Sequence, residues 1–279
     1  MSTARPRPPV PRSRPPNGNG KAKPGRGRVS FGKIAPKGAE RICLVGPGGI
    51  GKTTLSASAP GPVAFFDLDG SLPVLGDQLA EYDIKVVSGI TTWDELRTAL
   101  GNDGWDDIKT VVIDSATKAE ELATAWVLKN VPHEKGHRVS RIEDYGYGKG
   151  YGHVYDTFMN LLGDLDQHIR AGRHVNLVCH DCVTNVPNPS GDDWIRYEPR
   201  LQSPASGKWS IRLRVREWVD HLLFLGYDVA VVDGKGRGDS ERTIYPNEMP
   251  HCMAKSRTLD EQIELERGST ELWDQLFGK

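Results

Sequence analysis

Residues Gly46-Pro47-Gly48-Gly49-Ile50-Gly51-Lys52-Thr53-Thr54 read G-x-x-x-x-G-K-T, the pattern of a phosphate-binding loop. Its glycines let backbone N–H groups curl around phosphate oxygens, and the helix that starts behind it adds a partial positive charge. Lys52 can then reach the β- and γ-phosphates, and the Thr53 hydroxyl can ligate Mg²⁺. A second element of the same chemistry is Thr110-Val111-Val112-Ile113-Asp114-Ser115, an apolar run that ends in a carboxylate suited to the Mg²⁺ shell. No glutamate follows Asp114 to orient a water, so that task passes to the acids of Phe66-Asp67-Leu68-Asp69-Gly70. On extended backbone Asp67 and Asp69 share a face; a turn-forming acidic stretch before Gly70 is the plainer reading. His180 closes another apolar run, where it either senses the nucleotide or is satisfied by backbone. Lys255 and Arg257, two apart, can point the same way, as a solvated pair or with one cation reaching a phosphate across a subunit interface.

Positioning these groups takes strands and helices in alternation. Strands are predicted at Arg41–Val45, Val63–Asp67, Ile84–Val87, Thr110–Asp114, Val175–His180 and His221–Tyr227. Helices are predicted behind the loop from Thr54 to Ala59, then at Thr92–Leu100, Thr117–Lys129 and Gly152–Ala171. In the last, Val154, Phe158, Leu161, Leu162, Leu165 and Ile169 recur at helical spacing and read as core. Such alternation implies an α/β fold with a mostly parallel central sheet flanked by helices. Two stretches break the rhythm, 130–150 and 182–208. Both mix Tyr or Trp with Arg and Lys and read as long irregular segments, the kind that carries function.

The net charge of −1 hides an asymmetry. Residues 1–38 hold ten Lys or Arg and no acid, which leaves 26 basic against 37 acidic residues in the body, about −11. The Pro/Gly-rich composition of 1–38 predicts a disordered basic tail, either a solubilising linker or a nucleic-acid-binding arm. An acidic body argues against a broad nucleic-acid surface and confines any such contact to local patches or the tail. No secretory or long apolar stretch is present, so the chain reads as cytoplasmic with no membrane partner. Of the four cysteines only Cys179-His180-Asp181-Cys182 has metal-like spacing, and without a second pair these read as reduced structural thiols.

Taken in order, the phosphate loop, Phe66–Gly70, Val112–Ser115, Tyr147-Gly148-Lys149-Gly150-Tyr151, Leu177–His180, Arg216–Asp220 and Ala254–Arg257 resemble the RecA-like core, and specifically the small phage-encoded RecA-like ATPases. The resemblance covers 39–258, leaving 259–279 as a C-terminal helical extension. It implies ATP with Mg²⁺, assembly as a homo-oligomeric ring or filament, and single-stranded DNA held for annealing or recombination in a bacterial host's cytoplasm. Single-strand-binding or replication proteins are the implied further partners. In this pattern Asp69 stands where RecA-like proteins carry a water-activating glutamate, which implies slow hydrolysis. Lys255 and Arg257 stand where related assemblies place a pair reaching the neighbour's nucleotide, and the two irregular stretches stand where DNA-contacting loops lie. A nucleotide-gated loader that touches no DNA, or a small-molecule kinase, would use the same loop; no lid with clustered arginines favours the kinase.

Overall fold

The computed structural model describes residues 31–33, 37–232 and 235–278. The basic tail expected at 1–38 thus lies almost wholly outside the described residues. From Lys37 onward the chain is one compact unit built on a nine-stranded sheet. In chain order the strands are β1 (Arg41–Gly46), β2 (Val63–Asp67), β3 (Ile84–Val86), β4 (Thr110–Asp114), β5 (His174–Val186), β6 (Trp194–Pro199), β7 (His221–Val232), β8 (Lys235–Tyr245) and β9 (Ile263–Glu264). The helices are α1 (Lys52–Ala57), α2 (Leu72–Leu79), α3 (Trp93–Gly101), α4 (Ala116–Asn130), α5 (Lys149–Arg170), α6 (Ile211–Trp218) and α7 (Glu271–Phe277).

The spatial order is β3-β2-β4-β5-β1-β7-β8-β9, with β6 paired to β5. The first six strands of this order are parallel. Strands buried on both faces need apolar residues at every position, which is why their runs stand out in the sequence. Successive side chains alternate between two cores. Cys43, Val45, Ala64, Phe66, Val111 and Ile113 meet α3, α4, α5 and α6 on one face. Ile42, Leu44, Val63, Phe65 and Val112 meet α1, α2 and α7 on the other. The α5 stripe falls on the first core as its spacing predicts, with Phe158, Leu161 and Leu165 fully buried.

The strand ending at His180 does not stop there. It runs on to Val186 and turns back as β6 in an antiparallel hairpin, so Cys182–Val186 and Trp194–Pro199 of the stretch expected to be irregular are ordered ladder. The hairpin is pinned at its base by a Tyr197–Phe224 ring stack and by buried charges. Buried Arg196 donates to Glu198 at 2.7 Å and to Glu248 at 2.6 Å, and Arg212 also pairs with Glu198. Burial pushes the Glu198 carboxyl up, but the Arg196 hydrogen bond and the two guanidinium charges outweigh it and hold it below its ordinary value. Its stabilising contribution is therefore complete above the unfolded-state carboxylate range and is lost as pH falls through the lowered value. Removing one member strands a buried charge, so Glu198→Ala is expected to cost about 3 kcal/mol at neutral pH. Urea unfolding checks this, and a change under about 1 kcal/mol would mean that water enters the network.

Candidate functional site

The phosphate loop leaves β1 at Gly46 and enters α1 at Gly51, whose φ of 109° lies in the region that favours glycine. A Cβ there would also stand 2.9 Å from Arg242 Nη1 and would push that guanidinium aside. Lys52 turns back over the loop. Its ammonium donates to the carbonyls of Gly46 at 2.6 Å and Pro47 at 2.8 Å, and the residue is only 6% exposed. Burial lowers its pKa, with the nearby Asp114 charge opposing that. The remaining loop residues, Gly48, Gly49, Ile50, Thr53 and Thr54, complete the turn, and all but Ile50 line a cavity of about 650 Å³. Ile50 is fully buried beneath it and anchors the loop in the core.

Asp114 ends β4 two strands from β1, and the Thr53 hydroxyl donates to its Oδ2 at 2.7 Å. Burial raises the Asp114 carboxyl to about 6, against the Thr53 hydrogen bond and with Asp69 and Asp67 adding repulsion. A buried carboxylate beside a hydroxyl, both facing the phosphate loop, is the hard oxygen donor set that suits Mg²⁺ sharing its shell with phosphate and water. Among the described residues no group of three His, Cys, Asp or Glu gathers to hold a metal by itself, and all four cysteines are free thiols.

Because β5 lies between β1 and β4, its middle passes the end of β1, with His180 beside Gly46 in register. His180 Nε2 lies 3.1 Å from Asp69 Oδ2. That hydrogen bond is the main reason the Asp69 carboxyl is held below its ordinary value, with burial opposing it. Asp69 is steered there by the end of β2, where the Leu68 N–H donates to the Asp114 carbonyl at 2.6 Å. The face expected to be shared by Asp67 and Asp69 does not form. Asp67 instead accepts the N–H groups of Ser71 at 2.8 Å and Leu72 at 3.0 Å, capping the start of α2. Helix N-termini carry unpaired donors, and the nearer acid takes them.

Lys255 and Arg257 lie elsewhere. Lys255 pairs with Leu222, which is level with Cys43, about 10 Å along β1 from Gly46. Its ammonium donates to the carbonyls of Arg216 at 2.8 Å and Val219 at 2.6 Å, at the end of α6. Arg257 pairs with Asp220 at 3.0 Å and stays 62% exposed. Neither reaches this chain's own loop.

Within residues 39–258 the chain matches the family model described as an AAA domain. The chain belongs to the AAA domain family. No curated protein matches it. Among solved structures, the KaiC-like protein PH0186 from the hyperthermophilic archaeon Pyrococcus horikoshii OT3 aligns with a TM-score of 0.45 and 15% identity, over 83% of this chain and 87% of that one. The AAA domain here is an α/β P-loop ATPase core, and none of its described helices is long and apolar enough to cross a membrane. Sequence reasoning missed one group at the AAA domain's loop. Arg242 of β8 donates from Nη1 to the Ile50 carbonyl at 3.0 Å, from 192 residues away.

Proposed function

We propose that the chain is one subunit of an oligomeric, Mg²⁺-dependent ATPase that holds single-stranded DNA and promotes annealing or recombination. On its resemblance to phage RecA-like ATPases it would act in the cytoplasm of a bacterial host. Thr53 and Asp114 would hold Mg²⁺, which when bound neutralises phosphate charge. Lys52 binds the phosphates, Asp69 orients the attacking water, and His180 reports the state of the site. Arg257, the exposed member of its pair, is the cation offered to a neighbour's nucleotide.

One observation carries the reading. The segment after β6 touches the nucleotide-facing histidine at one end and the other basic-aromatic stretch at the other. The Arg200 N–H donates to the His180 carbonyl at 2.8 Å. Further on, the Trp209 ring lies so close to α5 that a Cβ at Gly152 would stand 3.0 Å from it. The Gln202 amide ties the two together, donating to the carbonyls of Tyr151 and Trp209. Around this junction Arg141, Arg200 and Lys208 are exposed, and Tyr147 is 99% exposed. Such an aromatic beside cations suits stacked bases with a tracked backbone.

The test is anisotropy of a labelled single strand at moderate salt, with and without ATP and Mg²⁺. Nucleotide-dependent binding is expected, and Tyr147→Ala should weaken it about tenfold, the worth of one stacked base. Arg257→Ala should remove stimulation of ATP turnover by DNA. If neither nucleotide state binds above the non-specific background, the DNA reading fails.

A second reading rests on the β5–β6 hairpin. Val183, Ile195 and Tyr197 share one exposed face, Asp192 and Asp193 stand at its tip, and Arg196 is neutralised inside. That surface suits a protein better than a phosphate backbone. Capture of a single-strand-binding or replication protein together with absent DNA binding would favour this nucleotide-gated loader.

A further inference from the structure

On α4, Glu120, Thr124 and Leu128 recur every fourth residue and so share one face of the helix. That face walls a second cavity, of about 710 Å³, which shares no residue with the one over the phosphate loop. Most of its other walls are 141–143 and 202–205, one piece from each basic-aromatic stretch. Glu120 stands out among the lining groups. The Gln202 backbone N–H donates to its Oε2 at 2.7 Å, while Oε1 has no hydrogen-bond partner among the described residues. Burial raises this carboxyl to about 7, against the Gln202 hydrogen bond and the Arg212 charge, with Glu121 adding repulsion. Near neutral pH it is therefore present both ionised and protonated. The proton sits on Oε1, because Oε2 is already accepting.

We infer that this cavity takes one unstacked base of the bound single strand, and that Glu120 favours cytosine or adenine over thymine. The inference rests on the single-strand reading above and adds to it a place where sequence is read. Cytosine and adenine each present an amino group beside an unprotonated ring nitrogen. Ionised Oε1 accepts from the amino group, and protonated Oε1 donates to the ring nitrogen, so either base satisfies Glu120 in both states. Thymine offers a ring N–H between two carbonyl oxygens, and these repel an ionised Oε1. Leu128 and Ile142 supply apolar surface for the faces of the ring. Arg141 lines the same cavity and is exposed, so it can hold the phosphate of the extruded nucleotide. The other lining acid, Glu143, is engaged by the Tyr151 hydroxyl, which donates to it at 2.9 Å. The cavity is of the size that receives a small ligand, and a base already free of a duplex enters such a space at least cost.

Anisotropy of labelled oligo-dC and oligo-dT of equal length, with the full chain, ATP and Mg²⁺ near neutral pH, tests this. Wild-type protein is expected to bind oligo-dC about tenfold more tightly, the discrimination of one paired base edge. Glu120→Gln keeps an acceptor for the Gln202 N–H and turns the Oε1 position into a fixed donor that faces the cytosine amino group. The preference should then fall to about twofold or less while oligo-dT affinity holds. Ala205→Phe, on an exposed part of the wall, should abolish the preference by filling the space. Equal binding of the two strands by wild type, or a preference that survives Glu120→Gln, overturns the base pocket and leaves strand binding in place. Should Glu120→Gln fail to fold, Ala205→Phe decides alone, and a surviving preference overturns the pocket. Wild-type protein that binds neither strand overturns the single-strand reading and the pocket together.

Discussion

Lys52→Ala is expected to lower ATP turnover about 10²–10³-fold, the usual cost of removing one preorganised cation or donor from a developing charge. The side chain is buried, and its ammonium already rests on two carbonyls of the loop it serves. Phosphate oxygens would compete for that ammonium at short range, in a site where burial keeps the local dielectric low. ATP affinity should fall too, by about ten- to a hundredfold, for the loss of a charge-assisted hydrogen bond. Lys52→Arg should rescue little, because a planar fork does not fit a seat shaped for a compact ammonium between Gly46 and Pro47. Calorimetric ATP binding and phosphate release at saturating Mg²⁺ check both numbers. Thermal melting separates them from misfolding, since alanine also leaves two loop carbonyls without their donor. Turnover within about threefold of wild type would remove Lys52 from the chemistry.

The parallel core was legible because β1, β2 and β4 are buried on both faces and so carry unbroken apolar runs, each ending where chemistry begins. The antiparallel parts were not. From Cys182 to Val186 the residues alternate between half-buried and exposed, and Pro187 and Pro189 follow at once, so the continuation of β5 looked like loop. Arg242 gave no signal at all. It stands between Glu241 and Thr243 like a surface residue, and only the placing of β8 next to β7 carries it to the loop. The acids show the limit of spacing arguments. A period of two assigned Asp67 and Asp69 to one face, but the unpaired N–H groups of Ser71 and Leu72 drew Asp67 away. Only Asp69 was left for the site, and it found His180, 111 residues distant.

Asp69→Asn should therefore keep ATP binding and lose hydrolysis, by about 10²–10⁴-fold for a group that handles the attacking water. Asparagine preserves the size of the side chain and can still hydrogen-bond His180, so the fold and the phosphate loop should be undisturbed. Single-turnover phosphate release against ATP affinity reads the two effects apart, and wild-type release in Asp69→Asn would exclude the carboxylate. The pH dependence sharpens this. The His180 hydrogen bond holds the Asp69 carboxyl below its ordinary value, so the ionised form, present above that value, persists through neutral pH and into acid. Hydrolysis should fall only as pH drops through the lowered value. In His180→Ala the lowering contact is gone, the Asp69 carboxyl rises, and that acid limb should move to higher pH. A structural histidine would change the rate without moving the limb. The same contact sets a limit on speed: a carboxylate held low is a weaker base, and it can orient water better than it can deprotonate it. Slow turnover is therefore expected from the His180–Asp69 pair itself as well as from the short side chain, and lengthening Asp69 to glutamate is not expected by itself to give a fast enzyme.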